Sequence, residues 1–229
     1  MKKIIILFGP PGSGKGTQAS LIASNFNFSI FDTGKYIEQI VHAPENLKNK
    51  NIRRERENFD SGILNSPFWV LNILKEKTSV FSRAGLSIIF TGSPRTLYEA
   101  FGDSGQMGLV KFLEKSYGKK NIHFVYLNIS PETSIWRNSH RKICVTCSAP
   151  ILYKKRAPQV CPFCGSPVRQ RSLDKPEIIK VRLKEYKERT FPIIERLKKA
   201  GYKINFIDGE KPPYIIYKNI ISKLKLNDG

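Results

Sequence analysis

Acidic side chains are scarce in this chain: 19 Asp and Glu stand against 39 Lys and Arg among 229 residues, a net charge of +20. Such a balance calls for an anionic counterpart, whether nucleotide, nucleic acid or an acidic membrane surface, and excludes a basic one. The scarcity is complete from Thr133 to Leu173, where no Asp or Glu occurs while Arg137, Arg141, Lys142, Lys154, Lys155, Arg156, Arg169 and Arg171 do. That segment is expected to lie near an anion, whereas most of the remaining lysines read as a basic solvated surface. Long apolar runs are also missing. None approaches the roughly 18 residues that cross a bilayer, which excludes a helical membrane span. The apolar stretch Ile4 to Phe8, behind Met1-Lys2-Lys3, is too short for a secretory leader and runs straight into a glycine-rich loop. A soluble, cytoplasmic protein is the expectation. Internal repeats and low-complexity tracts are absent as well, which excludes a repeat array. Cysteine is limited to four residues, all in one stretch, a usage that suits a reducing compartment better than a disulfide-stapled secreted fold.

What remains is an apolar content of 40%, enough for one well-buried α/β core with insertions rather than two independent domains. Short apolar runs recur at Ile4 to Phe8, Phe28 to Phe31, Leu86 to Phe90, His123 to Leu127 and Lys203 to Ile207, separated by helical stretches. This alternation predicts a parallel five-stranded sheet flanked by helices. Ser66-Pro67 and Ser130-Pro131 mark helix starts, a cap residue followed by proline at the first helical position. Asp174 with Pro176 opens another helix, with Ile179, Leu183, Tyr186 and Thr190 at helical spacing. Pro192 should kink or break it, and Gly201 should end the segment. Two insertions interrupt a core made of residues 1–34, 66–142 and 171–229. The first, residues 35–65, carries Arg53, Arg54 and Arg56 interleaved with Glu55 and Glu57, either a solvated helical face or a ligand surface. The second, residues 143–170, holds the cysteines.

Residues Gly9 to Thr17 read Gly-Pro-Pro-Gly-Ser-Gly-Lys-Gly-Thr directly after the first apolar run. A loop that wraps a polyphosphate must aim several backbone N–H groups inward, and glycine permits the dihedrals and close approach this needs. Gly12, Ser13, Gly14, Lys15, Gly16 and Thr17 are therefore the expected nucleoside triphosphate contacts. Lys15 adds a point charge, and the helix that follows adds its free N-terminal amides. The general pattern wants Ser or Thr straight after the lysine, whereas here Gly16 intervenes and Thr17 follows.

Cys144 with Cys147, and Cys161 with Cys164, form two C-x-x-C pairs and use every cysteine in the chain. Two such pairs make a tetrahedral zinc site. A redox pair is the rival reading, and iron suits the same ligands. Four thiolates close the coordination sphere and leave no place for water, so the metal would staple a loop rather than catalyse.

Together these residues resemble the nucleoside monophosphate kinases, and most closely the long-lid, zinc-containing adenylate kinases. The resemblance rests on the Gly9 loop with its following Gln18-Ala19, on Asp32-Thr33-Gly34, and on Gly92-Ser93-Pro94-Arg95-Thr96. It continues through Arg137 and Arg141 ahead of the cysteines, Arg171, Arg182-Leu183 with Tyr186 and Thr190, and Ile207-Asp208-Gly209. It implies a P-loop fold with an acceptor-binding insertion and a zinc lid, and reversible transfer of the ATP γ-phosphoryl group, with Mg²⁺, to a nucleoside monophosphate. AMP is the acceptor it points to, with CMP, UMP or a deoxynucleotide as alternatives.

The resemblance makes Lys15, Arg95, Arg141, Arg171 and Arg182 catalytic and lets Arg137 and Arg141 contact ATP from one helix face. Thr33, Gly34, Arg95, Glu99, Arg171 and Arg182 would line the acceptor site. A monomer is the default expectation. An ATP-binding regulatory or nucleic-acid-binding protein is a second, less favoured reading, and a plain ATPase a third. Three departures fall on the acceptor side. Glu38 stands where the family has an arginine, with Arg53 or Arg54 as the expected substitute. Glu99 replaces a glutamine that helps read the acceptor base. Thr91 and Ser93 replace Asp and Phe, with Asp32 expected to supply the lost carboxylate.

Overall fold

Ile4–Phe8 has no polar alternation, and as strand β1 all of its residues are buried, the mark of a strand covered on both faces. The computed structural model describes residues 2–46 and 48–226; Met1 and Leu47, which belong to the basic start and to the first insertion, lie outside the described residues, as do 227–229. After β1 come α1 (Lys15–Phe26), β2 (Phe28–Asp32), α2 (Thr33–His42), α3 (Lys50–Ser61) and α4 (Pro67–Arg83). Next are β3 (Ser87–Thr91), α5 (Leu97–Phe101), α6 (Leu109–Tyr117), β4 (Ile122–Asn128) and α7 (Pro131–Ser139). The lid region follows as β5 (Arg141–Cys144), β6 (Pro150–Leu152) and β7 (Val168–Arg169), and the chain returns through α8 (Pro176–Glu185), α9 (Phe191–Lys199), β8 (Ile204–Asp208) and α10 (Pro213–Leu224).

The five core strands form one parallel sheet in the order β2-β3-β1-β4-β8, so each apolar run read from the sequence is a strand of it. Alternation along β1 divides the core. Ile4, Ile6 and Phe8 join Phe31, Phe90, Phe124 and the residues of α4, α6 and α9 on one face. Ile5 and Leu7 meet Ala19 and Ile22 of α1 and Ile216, Ile220 and Leu224 of α10 on the other. With about 25 cal/mol per Å² for apolar area removed from water, these two layers are the main source of stability. Because the strands are parallel, all five carboxyl ends lie at one edge, where ligands of such sheets bind.

Ser66 and Ser130 do precede helices with proline at their first turn. The third expected start also falls at Pro176, where α8 begins, but Lys175 stands at its cap and Asp174 belongs to the 3₁₀ turn Ser172–Asp174. Before Pro192 the helix widens into a π turn over Tyr186–Thr190, so the irregularity lies just upstream of the proline that cannot donate a hydrogen bond. Between core strands, residues 141–169 form a separate three-stranded antiparallel sheet, β6-β5-β7.

Candidate active site

The loop after β1 turns on glycines whose backbone or surroundings disfavour a side chain. Gly14 has φ 89° at the start of α1, in the left-handed region. A Cβ on Gly9 would stand 2.6 Å from the carbonyl oxygen of Leu127. Lys15 is drawn back into this loop, its Nζ donating to Gly9 O at 2.7 Å, Pro10 O at 2.9 Å and Ser13 Oγ at 3.3 Å. Burial, reinforced by the positive fields of Arg95 and Arg182 and opposed by Asp32, lowers its ammonium from 10.5 to about 7.

α7 braces the loop from the far side. Ser134 Oγ donates to Pro11 O at 2.6 Å, and Asn138 lies against Gly12, where a Cβ would come within 2.7 Å of its Nδ2. Arg137 donates to Gly209 O at 2.9 Å and Gly12 O at 3.4 Å, tying the loop to the turn that follows β8. Arg141 departs from the expectation that it shares a helix face with Arg137. α7 ends at Ser139, and Arg141 is the first residue of β5, paired with Leu152. Strand pairing sets its direction, and its guanidinium grips Asp174 at 2.6 to 2.9 Å and Asn138 Oδ1 at 2.9 Å.

Asp174, fully buried, is the hub that sequence reasoning took only for a helix start. It also lies 3.5 Å from Arg182, which donates to Leu173 O at 3.1 Å. Burial together with Arg171 and Arg95 brings Arg182 down from 12.5 to about 9, with Asp174 opposing. Arg95 is lowered too, by burial first and by Arg171, with Glu99 and Asp32 opposing. Lys15, Arg95 and Arg182 are thus lowered in part by neighbouring guanidiniums, those of Arg141 and Arg171 among them, which places the five cations near one another. All five expected catalytic cations are therefore brought together at the carboxyl edge of the sheet.

On the acceptor side, Arg95 lies between the ends of β2 and β3: a Cβ on Gly92 would be 3.1 Å, and one on Gly34 4.0 Å, from its Nη2. Thr190 Oγ1 donates to Arg95 O at 2.9 Å and holds the segment to α9. The hydroxyls of Thr33 and Thr91 are buried without a partner among the described residues. Glu99 faces its own helix start, accepting from Arg95 N at 2.7 Å and Thr96 Oγ1 at 3.1 Å. Burial raises its carboxyl to about 7 despite those bonds. Arg53 and Arg54, the expected substitutes for the missing arginine, both lie on the exposed face of α3. Arg53 is 71% exposed and paired with Glu57 at 3.2 Å, and Arg54 is also exposed, because the buried positions of α3 are Glu55 and Phe59. Glu55 accepts from Asn65 Nδ2, Ser66 N and Ser66 Oγ and closes the insertion onto α4.

The four Sγ atoms lie within 4.8 Å of one another, with Cys144 to Cys164 at 3.4 Å and Cys147 to Cys161 at 3.7 Å. A tetrahedron of Zn–S bonds places its sulfurs roughly 3.8 Å apart. Thr146 N and Cys147 N point at Cys144 Sγ at 3.4 Å, as in a thiolate knuckle. The donor set fits zinc. Asp32, the carboxylate expected to serve Mg²⁺, which keeps several waters and needs only one or two carboxylates beside the phosphates, caps α2 with Oδ1 accepting from Lys35 N at 3.1 Å. It is the direct strand partner of Thr91, so a carboxylate stands one strand over from the position where the family carries it.

A family model described as adenylate kinase matches residues 7–202. Among curated relatives, the adenylate kinase of Chlamydia pneumoniae is 32% identical over 220 residues, covering 95% of each chain. The adenylate kinase of Petrotoga mobilis is 30% identical over 225 residues, covering 96% of this chain and 97% of its own. The adenylate kinase of Caldicellulosiruptor bescii is 33% identical over 202 residues, 86% of this chain and 87% of its own.

Proposed function

The chain belongs to the adenylate kinase family, a phosphotransferase whose acceptor is itself a phosphate group, and from that premise we propose that it moves the γ-phosphoryl group of ATP reversibly to AMP. The observation that carries this reading is the convergence of Lys15, Arg95, Arg141, Arg171 and Arg182 between the glycine loop and the start of α2. An acceptor phosphate is already an anionic nucleophile, so the reaction needs alignment and charge neutralisation rather than a base. A buried cluster of fixed cations suits that need.

In this reading Gly12 to Thr17 present backbone amides to the ATP phosphates, and Lys15 exchanges the carbonyls it now holds for phosphate oxygens. Arg137 and Arg141 contact ATP from the lid side. Arg95 holds the acceptor phosphate with the planar fork that suits it. Arg171 and Arg182 close over the transferring group. Thr33 and Gly34 line the acceptor pocket, where the unpartnered Thr33 hydroxyl is available to the nucleotide. Glu99 stands beside the acceptor base and acts through the Arg95 segment it anchors.

Mg²⁺ bound with ATP would neutralise charge between the β- and γ-phosphates; Asp32 would orient its waters. Zinc held by Cys144, Cys147, Cys161 and Cys164 would keep the lid folded as it swings. Residues 35–65 and 143–170 are the parts we assign to closure, which excludes water and so suppresses ATP hydrolysis. No helix among the described residues is long and apolar enough to cross a membrane, and the free thiols suit a reducing cytoplasm.

The test is ADP formation with ATP and Mg²⁺ against AMP, CMP, UMP, GMP and their deoxy forms, with Lys15→Ala as control. AMP should be turned over fastest and the variant should be silent. Preference for another base would move the acceptor assignment, and no turnover of any monophosphate would end the kinase reading.

A further inference from the structure

Among the five clustered cations, Arg141 and Arg182 share the carboxylate of Asp174, and Lys15 is bonded to its own loop. Arg95 makes no ion pair among the described residues. Arg171 is different, because its Nη2 lies 3.5 Å from Oε2 of Glu38 on α2, 133 residues earlier in the chain. The two side chains are 24% and 28% exposed, so the pair sits at the mouth of the cluster rather than on the open surface. Glu38 belongs to the acceptor insertion, whereas Arg171 stands at the point where the chain returns from the lid into the core. The contact is thus a strap between two segments that must separate or rearrange around a nucleotide.

From this geometry we infer that Glu38 is an internal stand-in for the acceptor phosphate, occupying Arg171 until the acceptor displaces it and so setting acceptor affinity. The inference rests on the kinase reading above and concerns regulation of the same site. A carboxylate offers guanidinium the same two-oxygen face as a phosphate but carries less charge. A phosphate dianion settling between Arg95 and Arg171 therefore wins the guanidinium and repels Glu38. Displacement has two consequences. Acceptor binding costs the strap, which raises the acceptor concentration needed for half-saturation. It also frees α2 from the lid return, so that the insertion moves only once an acceptor has arrived. Glu38 is then a specificity-setting residue that touches no transferred atom, and it accounts for a carboxylate at a place where repulsion alone would be pure loss.

The experiment compares wild type, Glu38→Gln and Glu38→Asp by steady-state kinetics and by calorimetric titration with AMP. Glutamine keeps size and helix compatibility but removes the charge. A half-buried ion pair of this kind is worth at most about 1 kcal/mol, which is a two- to fivefold change. Glu38→Gln should therefore lower the AMP KM and the calorimetric Kd by about two- to fivefold, with the KM for ATP unmoved. Glu38→Asp, one methylene shorter, should fall between the two. An unchanged or raised AMP Kd in Glu38→Gln overturns the inference, the first because Glu38 is a bystander and the second because it holds the acceptor. The titration does not depend on turnover. Tighter AMP binding by Glu38→Gln in a protein that forms no ADP would sink the kinase reading and keep this one.

Discussion

The chemistry of Lys15 depends strongly on its surroundings. An ammonium near 7, held on its own loop carbonyls, is mostly neutral at about pH 8.5, and the four negative charges of a polyphosphate brought beside it restore the proton. ATP binding should then take up about one proton at about pH 8.5, where ATP itself is fully ionised, fading to none below about pH 6. Calorimetry in buffers of different ionisation enthalpy measures this directly; no uptake at the higher pH would mean that the lysine stays charged in the loop. The same shift acts on folding. The unfolded chain holds this proton up to 10.5 and the native one only to about 7, so the burial penalty is full below pH 7 and is relieved as pH rises toward 10.5. Individual positions in the cluster were legible where a motif names them, as with Lys15 and Arg95. Asp174 was not, because its importance comes from two arginines that reach it from β5 and α8.

Between elements, Asp174 is the joint. It binds the first residue of the lid sheet to a helix of the core and is fully buried while doing so. Asp174→Ala leaves Arg141 and Arg182 enclosed without a counter-charge and should cost about 3–5 kcal/mol in urea denaturation, a loss that saturating ATP partly restores. A loss under about 1 kcal/mol would show that water reaches both guanidiniums. The lid sheet has a different problem. Its apolar cluster consists of Cys144, Ile151 and Cys161 with Ala149 and Val168 packed against it, too little to repay the entropy of ordering the segment. A metal bound by the four cysteines would supply the rest. Elemental analysis should find about one zinc per chain. Chelation should abolish hydrogen-exchange protection across residues 143–170 while the five-stranded sheet keeps its own; protection that survives in the lid would show that the metal is dispensable.

For the whole molecule, the open question is what the charge of +20 serves. Arg137, Arg141 and Arg171 of the acid-free stretch turn inward to the site, and Lys154, Lys155, Arg156 and Arg169 remain on the lid surface. If that surface followed a nucleic-acid backbone, its four cations would make affinity for single-stranded RNA drop about fiftyfold between roughly 50 and 200 mM salt. Enclosed phosphoryl transfer is screened less, and ADP formation should change by less than about tenfold over the same range. Filter binding and the kinase assay run side by side separate the two. Tight, steeply salt-dependent RNA binding would add a nucleic-acid role to the basic lid surface.

The sequence by itself determined the sheet, the phosphate loop and the metal knuckles. Each is a local pattern: short apolar runs recur between helical stretches, a glycine loop follows the first of them, and each C-x-x-C turn brings its two sulfurs into one cluster. Tertiary structure alone decided partnership. Glu38 meets Arg171 across 133 residues, Asp32 lies beside Thr91 because β2 and β3 pair in that register, and Arg141 points to Asp174 because it opens a strand instead of closing a helix. The basic cluster at Arg53 and Arg54 looked equally fit for a ligand, and the burial of Glu55 and Phe59 turned it outward. Charge–charge partners are chosen by distance in space, and a one-dimensional pattern carries no such distance beyond a helical turn or a strand pair.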